Sequence, residues 1–277
     1  MKKIFIAYAD HSMAYSLKRI GRQAHKIGLF DEVLLYSPKD VPKNILESPL
    51  FKHKKGAGYW CWKPAIIEMT LNRFNDGDVV IYVDAGCTIR RSPQWLEYLK
   101  YMDQYDTLCF HYDEYQPQWK KWGSESAKNK YWTKKYTLDF MANYVGDSTI
   151  GELLQIWGGL VLMKNKDNTV LKQWKNLIIQ NPELVTDPTA EELLDQYPGF
   201  AGHRHDQSIL TPLAYADSNT MIVPEVSEKY NRRSFIWASR CRAANFKDFL
   251  VWKIKMDTRH LLGDEMIEKL KRIKSNV

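Results

Sequence analysis

Cysteine is scarce in this chain of 277 residues: Cys61, Cys87, Cys109 and Cys241 stand far apart, and no two of them have the spacing of a metal knuckle or a redox pair. That scarcity argues against a disulfide framework and for a cytosolic protein. Long hydrophobic runs are also missing. None approaches the length needed to span a bilayer, and the opening Met1-Lys2-Lys3-Ile4-Phe5-Ile6-Ala7-Tyr8 carries too short an apolar run for a signal peptide. Internal repeats and low-complexity stretches are absent as well. Over most of its length the chain lacks an excess of either charge. The formal net charge is +7, yet residues 230–277 hold 12 of the 40 Lys and Arg and only 5 of the 33 Asp and Glu, leaving 28 of each sign elsewhere. A neutral body speaks against nucleic acid, which favours an evenly basic face. A basic tail studded with apolar residues points instead to an acidic surface such as an anionic membrane.

What is present is an alternation of strand and helix patterns. Ile4 to Tyr8 reads as a buried first strand, Ser12 to Lys26 as a helix capped by Ser12 with Gly28 just past its end, and Val33 to Tyr36 as a second strand. With a helix over Pro64 to Phe74 and a strand over Val79 to Val83, the pattern predicts an α/β domain with a mostly parallel sheet and flanking helices. Residues 111–144 are dense in Tyr, Trp and Lys without a strand period, and read as an excursion over the site. A strand after Gly158-Gly159 and helices over Thr169 to Ile179, Thr189 to Gln196 and His205 to Leu213 complete the body. The length suits one large domain over residues 1–240 and a helical tail over 241–277.

Four clusters carry chemistry. The run Val79-Val80-Ile81-Tyr82-Val83-Asp84-Ala85-Gly86-Cys87 delivers a carboxylate onto a glycine turn at a strand end, where open α/β sheets bind ligands. Asp84 could hold Mg²⁺ or Mn²⁺ against a pyrophosphate, with Gly86 permitting close approach, or could simply close a turn. In Gly56-Ala57-Gly58-Tyr59-Trp60-Cys61-Trp62-Lys63-Pro64, Pro64 suits the first turn of a helix. The block then lies at a helix N-terminus, where backbone amides and Lys63 would suit phosphate, and Tyr59, Trp60 and Trp62 could stack on a base or sugar or pack in the core. Gly158-Gly159 marks a close approach of backbone to something else. In His203-Arg204-His205-Asp206-Gln207-Ser208, Asp206 and Gln207 could address sugar hydroxyls, or Asp206 could cap a helix.

In this order the clusters resemble the GT-A class of nucleotide-sugar-dependent glycosyltransferases, and within it bacterial surface-polysaccharide enzymes with a Gly-Tyr-Trp-x-Trp-Lys-Pro block before a Tyr-x-Asp-x-Gly strand end. The resemblance covers roughly residues 1–240. It implies transfer of a hexosyl residue from a UDP-sugar to a glycan or lipid-linked glycan acceptor, with retention of configuration. It assigns catalysis to Asp84, Asp206 and Gln207. Donor contacts fall to Ala7, Tyr8 and Asp10 after the first strand, to Tyr59, Trp60, Trp62 and Lys63, to Tyr82, Val83, Ala85 and Gly86, and to Gly158 and Gly159. The class holds Mn²⁺ or Mg²⁺ with an Asp-x-Asp strand end, but Gly86 stands where the second aspartate is usual. The missing ligand then comes from His203, His205 or His260, with His205 the candidate beside Asp84. Otherwise a cation replaces the metal, drawn from Lys63, Arg232, Arg233, Arg240 and Arg242.

Tyr112, Tyr115, Trp119, Trp122, Tyr131, Trp132 and Tyr136 could form an acceptor lid or a packed insertion. In the tail, Phe246, Phe249, Leu250 and Ile254 recur at helical spacing among Lys247, Lys253, Lys255 and Arg259. That stripe suits contact with the inner face of the plasma membrane, or packing against the body. Two other classes remain. One is a non-catalytic module binding glycan or lipid, favoured by the missing second aspartate. The other is a nucleotidyltransferase, which would want a Gly-rich basic loop where Tyr8-Ala9-Asp10-His11 stands.

Overall fold

The computed structural model describes residues 1–228 and 234–258, so Arg232, Arg233, Arg259 and His260 lie outside the described residues. Six strands build the main sheet: β1 (Lys3–Tyr8), β2 (Glu32–Tyr36), β3 (Val79–Val83), β5 (Thr107–His111), β6 (Leu160–Lys164) and β7 (Thr220–Pro224). A small ribbon pairs β4 (Thr88–Ile89) with β8 (Ile236–Trp237). The sheet order is β2-β1-β3-β6-β5-β7. β1 runs parallel to β2 and β3, and β5 parallel to β7, while β6 is antiparallel to both its neighbours. Three of five pairings are therefore parallel, and the expected α/β class with flanking helices is borne out.

The strand β3 is buried at every position because both of its faces are covered. Val80 and Tyr82 share a core with Ile66, Trp174 and Ile209 from three helices, whereas Val79, Ile81 and Val83 share the opposite core with Ile20, Trp95 and Phe110. Each fully buried Ile or Val stabilises by about 1.5–3 kcal/mol, so the central strand is anchored from both sides. The site at its carboxyl end inherits that rigidity.

Helix ends follow local chemistry. The first helix, Ala14–Ile27, ends on Gly28 at φ +70°, a left-handed cap that glycine adopts at least cost. Its start differs from expectation: Asp10, not Ser12, caps a short turn over His11–Met13, and the helix begins only at Ala14. A second expected helix, Thr189 to Gln196, is reduced to a single turn at Glu192–Leu194. Leu193 and Leu194 are exposed there, so no apolar face exists for a longer helix to bury.

The aromatic excursion is packed rather than draped. Trp119 and Trp132 are buried with ring centroids 5.6 Å apart, and Tyr112 and Trp122 close the cluster. Tyr115 and Tyr136 remain at the surface. A last helix over 246–258 is tied to the body, since Ala243 O accepts the amides of Tyr15 and Ser16, and Phe249 packs between Tyr15 and Trp252. Phe246, Leu250 and Ile254 stay exposed. Among the described residues no helix is long and apolar enough to cross a membrane.

Candidate functional site

Lys63 is the centre on which the sequence candidates converge. The Trp62–Leu71 helix places it in its first turn, with Pro64 next, and its side chain is 2% exposed. The ammonium lies 2.8 Å from Asp206 Oδ2 and 3.9 Å from Asp84 Oδ1, and donates to Gly158 O at 3.0 Å. The contact with Asp206 is a buried ion pair. Asp206 opens the Asp206–Ala216 helix but does not cap it; its carboxylate serves Lys63. Gln207 Oε1 accepts the Gly158 amide at 2.9 Å, and the Asp84 amide donates to Gly159 O at 2.9 Å. The strand ends of β3 and β6 and the helix start at Asp206 thus meet around one ammonium.

Electrostatics fix the protonation states. Burial raises the Asp206 carboxyl to about 6, with Lys63 opposing the rise. Burial also works against the Lys63 ammonium, but Asp206 and Asp84 outweigh it and hold its pKa above the ordinary value. At neutral pH the pair is ionised. Burial, and then the adjacent Asp84, push the Tyr82 hydroxyl well above its usual range, so it stays protonated and donates to Asp84 Oδ1. Asp84 Oδ2 has no partner among the described residues. At the strand end, with a side chain 39% exposed, Asp84 is open to solvent. Asp206, at 1% exposure, does not reach it, and Lys63 is turned inward to the same pair. Gln207 is half-buried, and its amide Nε2 has no partner among the described residues.

The Gly56 to Trp60 block corrects one expectation. Gly56, Ala57, Gly58, Tyr59 and Trp60 all have positive φ, from 49° to 95°. Three of the five are not glycine, and each such residue costs of order 1–2 kcal/mol in that region. Within this left-handed coil, Ala57, Gly58, Tyr59, Trp60, Cys61 and Lys63 each donate their amide to a nearby carbonyl. Those amides are consumed by the turn, so they do not form the expected phosphate cradle. The rings are committed too: Trp62 stacks on Tyr8 at 3.8 Å, while Tyr59 and Trp60 pack on His205 at 5.0 and 5.4 Å.

The remaining candidates have structural partners. Ala7, Val83 and Ala85 are buried in the core on one side of the sheet. Asp10 Oδ1 accepts both the amide and the hydroxyl of Ser12, and Tyr8 keeps one ring face against Trp62. Gly86 O accepts from the Cys241 amide and the Ser239 hydroxyl, which brings Arg240 against the turn. A Cβ on Gly158 would stand 2.8 Å from Gln207 Cγ and 3.2 Å from Lys63 Nζ, so this glycine makes room for the Lys63 cluster itself. His203 and His205 bond the carbonyls of Leu184 and Val185, at 2.9 and 2.7 Å. Burial holds His203 well below its ordinary pKa and His205 at about 4, so both are neutral. His205 Nε2 faces Asp187, 3.7 Å away, rather than Asp84.

The fit to Mn²⁺ or Mg²⁺ is poor. Among the described residues no group of three or more His, Cys, Asp or Glu is placed to hold a metal ion. Mg²⁺ is usually held by one or two carboxylates plus substrate phosphates. Here one carboxylate oxygen of Asp84 is free, and the neighbouring Asp206 already has an ammonium for its counter-ion. Among the described residues no cage of protein ligands for a metal is built in this region.

Sequence reasoning passed over Arg204. Its guanidinium lies 4.2 Å from the Trp132 ring centroid and 5.2 Å from that of Trp122, two residues before Asp206. The aromatic density of 111–144 was the available signal, since stacked arginines need such rings.

The sequence matches no known family model and no curated protein. Its solved structural neighbours include glycosyltransferases. The galactosyltransferase LgtC, in complex with donor and acceptor sugar analogues, is 13% identical over 79% of this chain and 72% of its own, at a TM-score of 0.41. Mouse xyloside xylosyltransferase 1 is 10% identical over 82% and 86%, at 0.39. Mannose-6-phosphate isomerase from Helicobacter pylori is also 10% identical, over 81% and 97%, at 0.38. Overlaps this loose carry no functional weight, so the function of this chain has to be argued from the Lys63 cluster and its surroundings.

Proposed function

We propose that this protein is a glycosyltransferase that moves a hexosyl residue from a nucleoside-diphosphate sugar, UDP-linked, to a sugar hydroxyl of a bacterial surface glycan, with retention of configuration. The observation that carries this reading is the convergence of Asp84, Lys63, Asp206, Gln207 and Gly158 at the carboxyl end of β3. Glycosyl transfer asks a protein mainly to position two substrates and stabilise developing charge. Asp84 Oδ2 and Gln207 Nε2 are the free polar atoms at the opening, an acceptor and a donor suited to sugar hydroxyls. Lys63 and Asp206 act behind them as positioning residues, fixing the Asp84 carboxylate and the Gly158 backbone. Water exclusion falls to the aromatic wall of the 111–144 insertion. The exposed stripe of the tail helix would hold the enzyme at an anionic membrane surface, where lipid-linked acceptors reside.

Two measurements test this. A thermal-shift panel of UDP, GDP, CDP and dTDP, each with and without Mn²⁺, should show stabilisation by UDP, since a ligand that binds only the folded state raises its stability. Asp84→Asn should abolish sugar transfer while leaving the melting temperature near that of the native chain. Turnover of a UDP-sugar by that variant at the native rate would sink the assignment, and no shift with any nucleotide would favour a glycan- or lipid-binding module.

A further inference from the structure

Two arginines gather on Trp122 near the Asp84 turn, and one of them has no polar partner among the described residues. Arg204 is half-buried over Trp132 and Trp122, and among the described residues its guanidinium has no hydrogen-bond or ion-pair partner. A half-buried guanidinium with no polar partner keeps its charge available to a ligand. The two rings flank the guanidinium and leave its N–H groups free to bind, as suits phosphate oxygens. Arg240 lies over the same Trp122 ring, 5.4 Å from its centroid. It donates to both oxygens of the buried Glu228 carboxylate, at 2.7 and 2.8 Å, yet its own side chain is 54% exposed.

The backbone is strained to put Arg240 there. Its φ is +50°, a left-handed conformation that a residue bearing a Cβ adopts at a cost. The flanking Ser239 hydroxyl and Cys241 amide both bond Gly86 O, locking that conformation against the turn that carries Asp84. A Cβ on Gly86 would lie 3.8 Å from Arg240 Cα. Strain of this kind collects at functional sites, and here it holds the Arg240 backbone against the turn that carries Asp84. Glu228 is bonded by Arg240 and has Glu225 close by, whereas no carboxylate bonds Arg204 among the described residues.

We propose that Arg204 and Arg240, gathered on Trp122 beside the Asp84–Gly86 turn, form an anion site that binds the diphosphate of the donor and neutralises it as it leaves. The inference rests on the transferase reading for the identity of its ligand. It gives the charge that a divalent metal supplies elsewhere to two side chains of this protein, in keeping with the poor metal fit of the carboxylates. Arg204 supplies the free fork, and Arg240 the second charge at the rim. No bond is made or broken at the arginines.

The test uses the full chain with inorganic pyrophosphate as the probe, titrated calorimetrically in EDTA. The native chain should bind pyrophosphate without divalent metal, with affinity falling as salt is raised. Arg204→Met should weaken it at least tenfold, Arg204→Lys by less, and Lys253→Met on the tail helix should leave it within twofold. Pyrophosphate binding that appears only on adding Mn²⁺, or an Arg204→Met affinity within twofold of native, overturns the proposal. Should Arg204→Met fail to fold, Arg204→Lys and Arg204→Gln carry the comparison, and affinity within twofold of native in both overturns it. The two readings fail separately: Arg204-dependent pyrophosphate binding without any sugar transfer leaves the anion site standing and removes the transferase. Asp84-dependent transfer with Arg204-independent binding does the reverse.

Discussion

Replacing Lys63 by Met removes the one cation between two carboxylates and leaves Asp206, 1% exposed, without its counter-charge. Breaking a buried pair from one side costs about 3–5 kcal/mol, which for a chain of this size lowers the melting temperature by about 6–20 °C. The loss should depend on pH, and its sign follows from Asp206. That carboxyl is raised from 3.8 to about 6 in the folded protein, so it holds its proton more tightly folded than unfolded. Its contribution to stability is fullest below the unfolded value of 3.8 and is lost as pH rises through about 6. Without Lys63, whose charge opposes the rise, the folded pKa climbs further and the loss extends across neutral pH. Chemical denaturation of both chains between about pH 5 and 8 should therefore show a deficit that is largest at the alkaline end and narrows towards pH 5, where Asp206 takes up a proton instead. Carboxylates that do not contact Lys63 act equally in both chains and cancel. A second substitution, Asp206→Leu, should recover most of the loss by removing the stranded charge. A deficit that is the same at both ends of the range, or under about 1 kcal/mol at the alkaline end, would refute the pairing as the organising contact.

Gly158→Ala places a methyl group 2.8 Å from Gln207 Cγ, and should cut transfer by at least tenfold while costing only about 1–3 kcal/mol of stability, the range for overpacking; steady-state kinetics beside a melting curve separates the two. In the tail, Phe246→Ser with Ile254→Ser removes two exposed apolar side chains. Sedimentation with phosphatidylserine vesicles should fall severalfold with soluble activity unchanged, and undiminished pelleting would assign the stripe to another contact.

The first three strands of the sheet were legible because their apolar runs are continuous and bounded by turn residues. β5 and β7 were not. Thr107 to His111 and Thr220 to Pro224 are short, mixed in polarity, and given their strand character by neighbours rather than by pattern. Among the site candidates, Asp84, Lys63, Gly158, Asp206 and Gln207 were visible as residue types at marked positions, and the structure brings them to one place. The direction of each side chain was not visible. Lys63 reads as a phosphate ligand until burial shows it turned inward, and the left-handed path of Ala57, Tyr59 and Trp60 goes against their local preference. Arg204 was hidden for a similar reason: its stacking partners lie more than 70 residues earlier in the chain.

The reversed strand β6 has a consequence for the order in which the molecule assembles. Because β6 enters the sheet from the end where β3 leaves it, the loop at Gly158 meets Asp84 only after the chain has passed through the whole insertion, and Asp206 must then arrive from further still. A ribosome releasing this chain exposes the β1–β2–β3 unit first, with Lys63 waiting about 140 residues for its carboxylate. The contacts that complete the opening are among the most distant in sequence, and forming distant contacts is the slow part of folding. A chain cut short before Asp206 would hold most of its strands and lack the Lys63–Asp206 pair, so the strand-end cluster doubles as a checkpoint for late synthesis.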